Sequence, residues 1–137
     1  MFQTFGYVEI NQLFANAGYL VVSPNPRGST SYGDAFTAGC LGDWGGGDWR
    51  DILAALDKTL ELPYADSSRT GIYGYSYGSM ASWAIGQTDS FKAAVIGAPI
   101  TDPISRYGTS DIGFPLGGIE YDGALADVHE GRSSDRR

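Results

Sequence analysis

The sequence predicts an α/β fold built on a parallel sheet with helices on both faces. Short apolar runs, YLVVS over 19–23, GIY over 71–73 and FKAAVI over 91–96, alternate with longer stretches of helical periodicity. Connections of about ten residues or more between such runs call for right-handed crossovers and parallel pairing, with helices covering the sheet. At the end of the second run stands Gly74-Tyr75-Ser76-Tyr77-Gly78, followed at once by a helix-compatible segment. That is the sequence form of a tight strand-to-helix turn at the C-terminal end of a strand, where sheets of this class hold their sites.

Composition sets the limits. The chain has 137 residues, 42% of them hydrophobic and 18% charged, which fits one modest globular domain. A formal net charge of -7, with lysine and arginine few and scattered, argues against a nucleic-acid partner. Cys40 is the one cysteine and has no partner for an internal disulfide, so a cytoplasmic setting is expected. The segment MFQTFGYVEINQLFANAGYLVV lacks a basic region followed by an unbroken apolar core, and no run reaches membrane-spanning length. No membrane partner is expected.

Val8, Ile10, Leu13, Phe14 and Ala17 fall mostly on one side of a helix that Gly18 ends. The strand Tyr19–Ser23 follows and is closed by Pro24 and Pro26. Pro24 to Gly33 is then a loop at a C-terminal strand end, and its one charge, Arg27, reads as a loop brace before it reads as a substrate contact. Asp34–Cys40 allows a helical turn or two. The glycines of Gly42-Asp43-Trp44-Gly45-Gly46-Gly47 read as loop, because no Lys-Ser/Thr follows and the spacing fits no phosphate cradle. Asp48 suits an N-cap, and Trp49, Ile52, Leu53, Leu56 and Leu60 form an apolar stripe that stops at Pro63. Asp51, Asp57 and Glu61 fall on its polar side and read as solvated.

Within the turn, Ser76 is the candidate nucleophile. Gly74 and Gly78 supply the room that a crowded elbow needs, and the helix expected over Ser79–Gln87 would direct N–H groups at a developing oxyanion. After Phe91–Ile96, Gly97, Pro99 and Pro103 end the last strand; periodicity is lost from Gly117 onward, and the final EGRSSDRR is polar and charged. The expected division is a domain over residues 1–116 and an off-pattern, flexible tail over 117–137.

Several signatures in order, GYLVVSPNPRGSTSYGDAF, GDWGGGDWRDI, RTGIYGYSYGSMASWAIGQTDSFKAAV and RYGTSDIG, closely resemble the catalytic domain of the prolyl oligopeptidase family. The likeness is greatest to its acylaminoacyl-peptidase and dipeptidyl-peptidase-like members, and it runs from about Thr4 to Gly113. It implies an α/β-hydrolase fold, partial here and truncated at both ends, that cleaves short peptides by acyl transfer with no metal or other cofactor. Ser76 matches the family's nucleophile and the backbone N–H of Tyr77 one oxyanion donor. The second donor belongs to a segment expected before Met1.

Family members carry the acid and base on loops downstream of the matched region. Asp102 and His129 do stand in the order Ser, Asp, His that α/β-hydrolases use, but the preferred reading is a loop aspartate and a surface histidine. The family strand expected between Tyr19–Ser23 and the strand leading into Ser76 is missing. Those two strands should then either pair directly or show unpaired N–H and C=O groups, with self-association through exposed sheet edges as the hazard. The sequence therefore predicts a serine-peptidase fragment that is inactive alone. A non-catalytic pseudoenzyme or interaction fragment, and a small esterase on the same fold, are the alternatives.

Overall fold

The computed structural model describes residues 9–80 and 86–113. In chain order these form α1 (Glu9–Asn16), α2 (Asp34–Thr37) running into a 3-10 turn (Ala38–Cys40), α3 (Gly47–Leu60), β1 (Gly71–Tyr75), a second 3-10 turn (Ser76–Met80), β2 (Ala93–Gly97) and α4 (Pro103–Thr109). The expected helix over Ser79–Gln87 falls partly on residues 81–85, outside the described residues. The boundary at 116/117, the 117–137 tail and His129 lie outside them too.

The end of α1 follows from its sequence. Gly18 takes φ 88°, which a glycine adopts without a side-chain clash. The Gly18 N–H then donates to the Ala15 carbonyl (3.0 Å) and the Tyr19 N–H to that of Phe14 (3.0 Å). The Phe14 and Tyr19 rings meet edge to face at 5.8 Å, completing a Schellman ending with its hydrophobic contact. The chain is thereby turned into 19–23.

Those residues do not become the strand their β-branched composition suggests. Among the described residues, Tyr19–Ser23 has no ladder partner, and Tyr19, Leu20 and Val22 are exposed. A strand is stabilised by its neighbour as well as by propensity, and here no described strand lies alongside. Of the two outcomes expected at this gap, direct pairing with the strand before Ser76 is therefore excluded.

The sheet itself is the parallel pair that the alternating pattern predicts. β1 and β2 run in register from Gly71↔Ala93 to Tyr75↔Gly97, and the Lys92 N–H continues the ladder by donating to the Thr70 carbonyl at 2.8 Å. Side chains alternate across it. Gly74 is buried and Ile72, Ala94 and Ile96 are half-buried, whereas Tyr73, Tyr75 and Val95 on the other face are 45%, 61% and 56% exposed. Phe14 of α1 reaches that face at Tyr73, ring to ring at 5.9 Å.

α3 carries its apolar stripe where the sequence puts it, but its start differs. The helix begins at Gly47, with Gly46 at the N-cap position, and the first N–H, that of Gly47, donates to Asp43 Oδ2 at 2.8 Å. Asp43 thus does the capping assigned to Asp48, which sits inside the first turn and is fully buried. Trp49 is the one buried apolar side chain among the described residues, and its ring faces Phe91, which leads into β2, at 6.2 Å. Ile52, Leu53, Leu56 and Leu60 are only half-buried.

α4 was not read from periodicity. Its signal is local: Asp102 caps it and Pro103 occupies its first turn, a position that costs proline nothing because that N–H has no helical acceptor.

Candidate active site

β1 delivers the chain directly into Ser76, which adopts φ 54°. A serine in the left-handed region costs about 1 kcal/mol or more, and such strain persists only where the surroundings impose it. Immediately before this turn Gly74 is buried at the sheet. At Gly78 a Cβ would meet nothing within 4 Å among the described residues.

Tyr77 comes next, and its side chain turns back toward the start of α3. Its hydroxyl donates to Asp48 Oδ2 at 2.5 Å, while Asp48 Oδ1 accepts the Trp49 N–H at 2.7 Å. The Tyr77 ring stands edge to face on Trp44 at 4.6 Å. Burial, the hydrogen bond to Asp48 and that residue's negative charge, with a smaller contribution from the Cys40 thiol, push the phenol far above its ordinary value. The glycine-rich segment and the elbow are thus one cluster. Trp44 also lies under the Arg106 guanidinium of α4, 5.8 Å from the ring centroid.

Arg27 faces elsewhere. Its backbone N–H and Nε both donate to Asp51 Oδ2, at 2.9 and 2.8 Å, and its Nη2 donates to Oδ1 at 2.8 Å. The hydrogen bonds and attraction raise the guanidinium and hold the Asp51 carboxyl below its ordinary value. Asp51 is therefore the anchor of the Pro24–Gly33 loop, and not the solvated acid its place on the helix suggests. Gly47 makes the arrangement possible, because a Cβ there would lie 2.6 Å from Arg27 Nη1 and 2.7 Å from its Cδ. An open hollow of about 430 Å³ beside this pair is lined by Asn25, Arg27, Ala35, Phe36, Gly39 and Asp51, and it does not include Ser76.

Asp102 is engaged with its own helix. Oδ1 accepts from the N–H groups of Ile104 (3.0 Å) and Ser105 (3.1 Å). Of the residues singled out in the sequence, Ser76 and Tyr77 are adjacent at the tip of β1, Arg27 is bound to α3, Asp102 caps α4, and His129 lies outside the described residues. The residues that sequence reasoning missed are Asp48 as the acceptor for Tyr77 and Trp44 as its stacking partner. No spacing rule reveals a contact between residues 29 positions apart.

Among the described residues no group of three or more His, Cys, Asp or Glu side chains could hold a metal ion, and no helix is long and apolar enough to cross a membrane. The arrangement at β1 can present a serine hydroxyl beside a backbone N–H at a strand tip, which is the minimum that acyl transfer needs from this part of a fold.

Comparison with known proteins points the same way. A sequence model described as the prolyl oligopeptidase family matches residues 6–134. The uncharacterized peptidase YuxL of Bacillus subtilis (strain 168) is 46% identical over 105 residues, which is 75% of this chain and 16% of that protein. Dipeptidyl-peptidase 5 of Porphyromonas gingivalis is 35% identical over 102 residues, covering 73% of this chain and 15% of its own length. Among solved structures, Pyrococcus horikoshii acylaminoacyl peptidase in its uncomplexed form superposes with a TM-score of 0.69 at 39% identity, over 71% of this chain and 16% of that one. An acylaminoacyl peptidase in complex with Z-Gly-Gly-Phe-chloromethyl ketone matches with the same TM-score, identity and coverage. The chain spans about one-sixth of the length of these relatives.

Proposed function

This chain belongs to the prolyl oligopeptidase family of serine peptidases, and from that premise we propose that it carries the nucleophile portion of a peptidase that cleaves short peptides by acyl transfer through Ser76. The observation that carries the reading is the strained Ser76, at φ 54° on the tip of a parallel strand, with Tyr77 directly after it. In this reading the Ser76 hydroxyl attacks the substrate carbonyl and gives its proton to a base. The Tyr77 N–H stabilises the oxyanion, the intermediate collapses with cleavage of the C–N bond as the base gives that proton to the leaving amine, and water then hydrolyses the acyl-serine. Peptides are the substrate class that the relatives' names share, and one solved relative is bound to a peptide chloromethyl ketone. A cytoplasmic setting belongs to the same reading and rests on the lone Cys40.

Asp102 spends an oxygen on its own helix, so the acid and base of the triad are proposed to come from outside the described residues. Turnover is expected only where acid and base are assembled with Ser76, since triad members act as a unit and the loss of one costs on the order of a millionfold in kcat. The test is labelling with a fluorophosphonate. Stoichiometric modification of folded protein that disappears in Ser76→Ala supports an assembled nucleophile, and folded protein that takes no label rejects one.

The exposed sheet face at Tyr73, Tyr75 and Val95 favours a second reading, an interaction fragment that keeps the fold and pairs through that sheet. Light scattering separates the two. Concentration-dependent association of unlabelled, folded chain supports pairing, and a stable monomer speaks against it.

A further inference from the structure

Asp48 is fully buried in the first turn of α3, and its position there is not explained by helix capping, which Asp43 already performs at the Gly47 N–H. A buried carboxylate is costly unless its oxygens are satisfied, and an apolar side chain of similar size would often be the more stable choice. Asp48 spends one oxygen on the neighbouring Trp49 N–H and the other on a 2.5 Å bond from the Tyr77 hydroxyl. That length is in the range of charge-assisted O–H···O⁻ bonds. The same ring is held from the side by Trp44. Both restraints come from the 44–48 segment and both act on the residue directly after Ser76.

Resting on the reading of Ser76 as nucleophile and the Tyr77 N–H as oxyanion donor, we infer that Asp48 is a positioning residue for the elbow: by gripping the Tyr77 hydroxyl it fixes the direction in which the Ser76–Tyr77 peptide points its N–H. The side chain of Tyr77 leaves the Cα to which that amide nitrogen is bonded, so a ring held by Trp44 and by its hydroxyl limits rotation about the Tyr77 backbone. An oxyanion donor is useful only when it is aimed before the reaction begins, and small misplacements of such a group cost large factors in rate. The glycine-rich motif thereby serves the strand tip without touching substrate.

The test uses the full chain and needs no turnover. Nitrogen-15 relaxation is measured at Tyr77, with Ile72 and Val95 of the ladder as internal references, in wild type, Asp48→Asn, Asp48→Ala and Tyr77→Phe. The expected result is a fall in the Tyr77 amide order parameter from about 0.85 to below about 0.6 in Asp48→Ala and Tyr77→Phe, while both ladder amides keep the wild-type value. Asp48→Asn, which preserves shape and an acceptor oxygen, should fall between. Combined with Tyr77→Phe, it should add nothing beyond Tyr77→Phe alone. A Tyr77 amide that stays rigid in Tyr77→Phe overturns the inference, and so does a loss of order spread equally through Ile72 and Val95, which a purely structural role would give. If Asp48→Ala does not fold, Tyr77→Phe and Asp48→Asn decide alone.

Fluorophosphonate labelling is run in parallel, with an expected hundredfold fall in rate, on the order of the loss of one oxyanion donor, in Asp48→Ala. A wild-type chain that takes no label rejects an assembled nucleophile in this chain, and relaxation at Tyr77 still decides the role of Asp48.

Discussion

Arg27 and Asp51, 24 residues apart, are joined by three hydrogen bonds, two from the guanidinium and one from the Arg27 backbone N–H. The loop after Tyr19–Ser23 is therefore tied to the second turn of α3 at both a side chain and the main chain. A fork-to-carboxylate pair of this kind has a geometry that lysine does not reproduce. Arg27→Lys should release the loop nearly as fully as Arg27→Ala, which proteolysis between Pro24 and Gly33 would read as faster nicking in both variants.

The same pair makes stability depend on acid. Asp51 titrates below its ordinary value because Arg27 stabilises the charged form, and Asp66 is held down to about 2 by hydrogen bonds from Ser68 and Arg69. For a carboxyl with a lowered folded pKa, the contribution is present above the unfolded value, about 3.9. It is lost as pH falls through the folded value. Carboxyl NMR should place the Asp66 midpoint near 2 and that of Asp51 below the ordinary value. In Arg27→Ala the Asp51 midpoint should return toward 3.8.

Ser76→Gly should stabilise the fold while removing the proposed nucleophile. Relief of left-handed strain gains about 1–2 kcal/mol, and the greater unfolded-state freedom of glycine gives back about 0.5–1, leaving a net gain centred on about 0.75 and no larger than about 1.5 kcal/mol. Urea denaturation measures it. A destabilised Ser76→Gly would show that the turn is not imposed on the serine by its surroundings.

Asp102→Ala should cost about 1 kcal/mol through loss of the N-cap, with Asp102→Ser largely restoring it. The local sign is faster amide exchange at Ile104 and Ser105, the two groups that Asp102 accepts from.

Trp49→Ala should be the most damaging single change. It removes the one buried apolar side chain among the described residues, and truncation of a buried tryptophan costs about 3–5 kcal/mol. Loss of the cooperative thermal transition is the expected outcome, with Trp49→Phe retaining part of it.

Elements that announce themselves locally were legible in the sequence. The apolar spacing of α1 and α3, the glycine that ends α1, and the parallel pairing implied by β1 and β2 all follow from patterns within about twenty residues. The turn at Ser76 was legible because its glycine-flanked sequence is written into five consecutive residues. Asp48 and Asp51 were not, because identical acids at the start of a helix serve as cap, brace or solvated charge according to which distant segment meets them. Tyr77 meets the first and Arg27 the second. Tyr19–Ser23 misled for the converse reason: its residues favour a strand, and ladder formation needs a neighbour that no local pattern supplies.

The five residues of β1 form the stalk on which Ser76 stands, and β2 is their one described lateral support. Among the described residues this is a two-stranded ribbon, in which strand twist is less constrained than in a wider sheet. Any rotation along β1 is carried to its tip, so the aim of the serine depends on the stiffness of the ribbon as much as on the turn. The Asp48 grip on Tyr77 then acts as a guy-line, tethering a compliant mast from the side at the level where direction matters most.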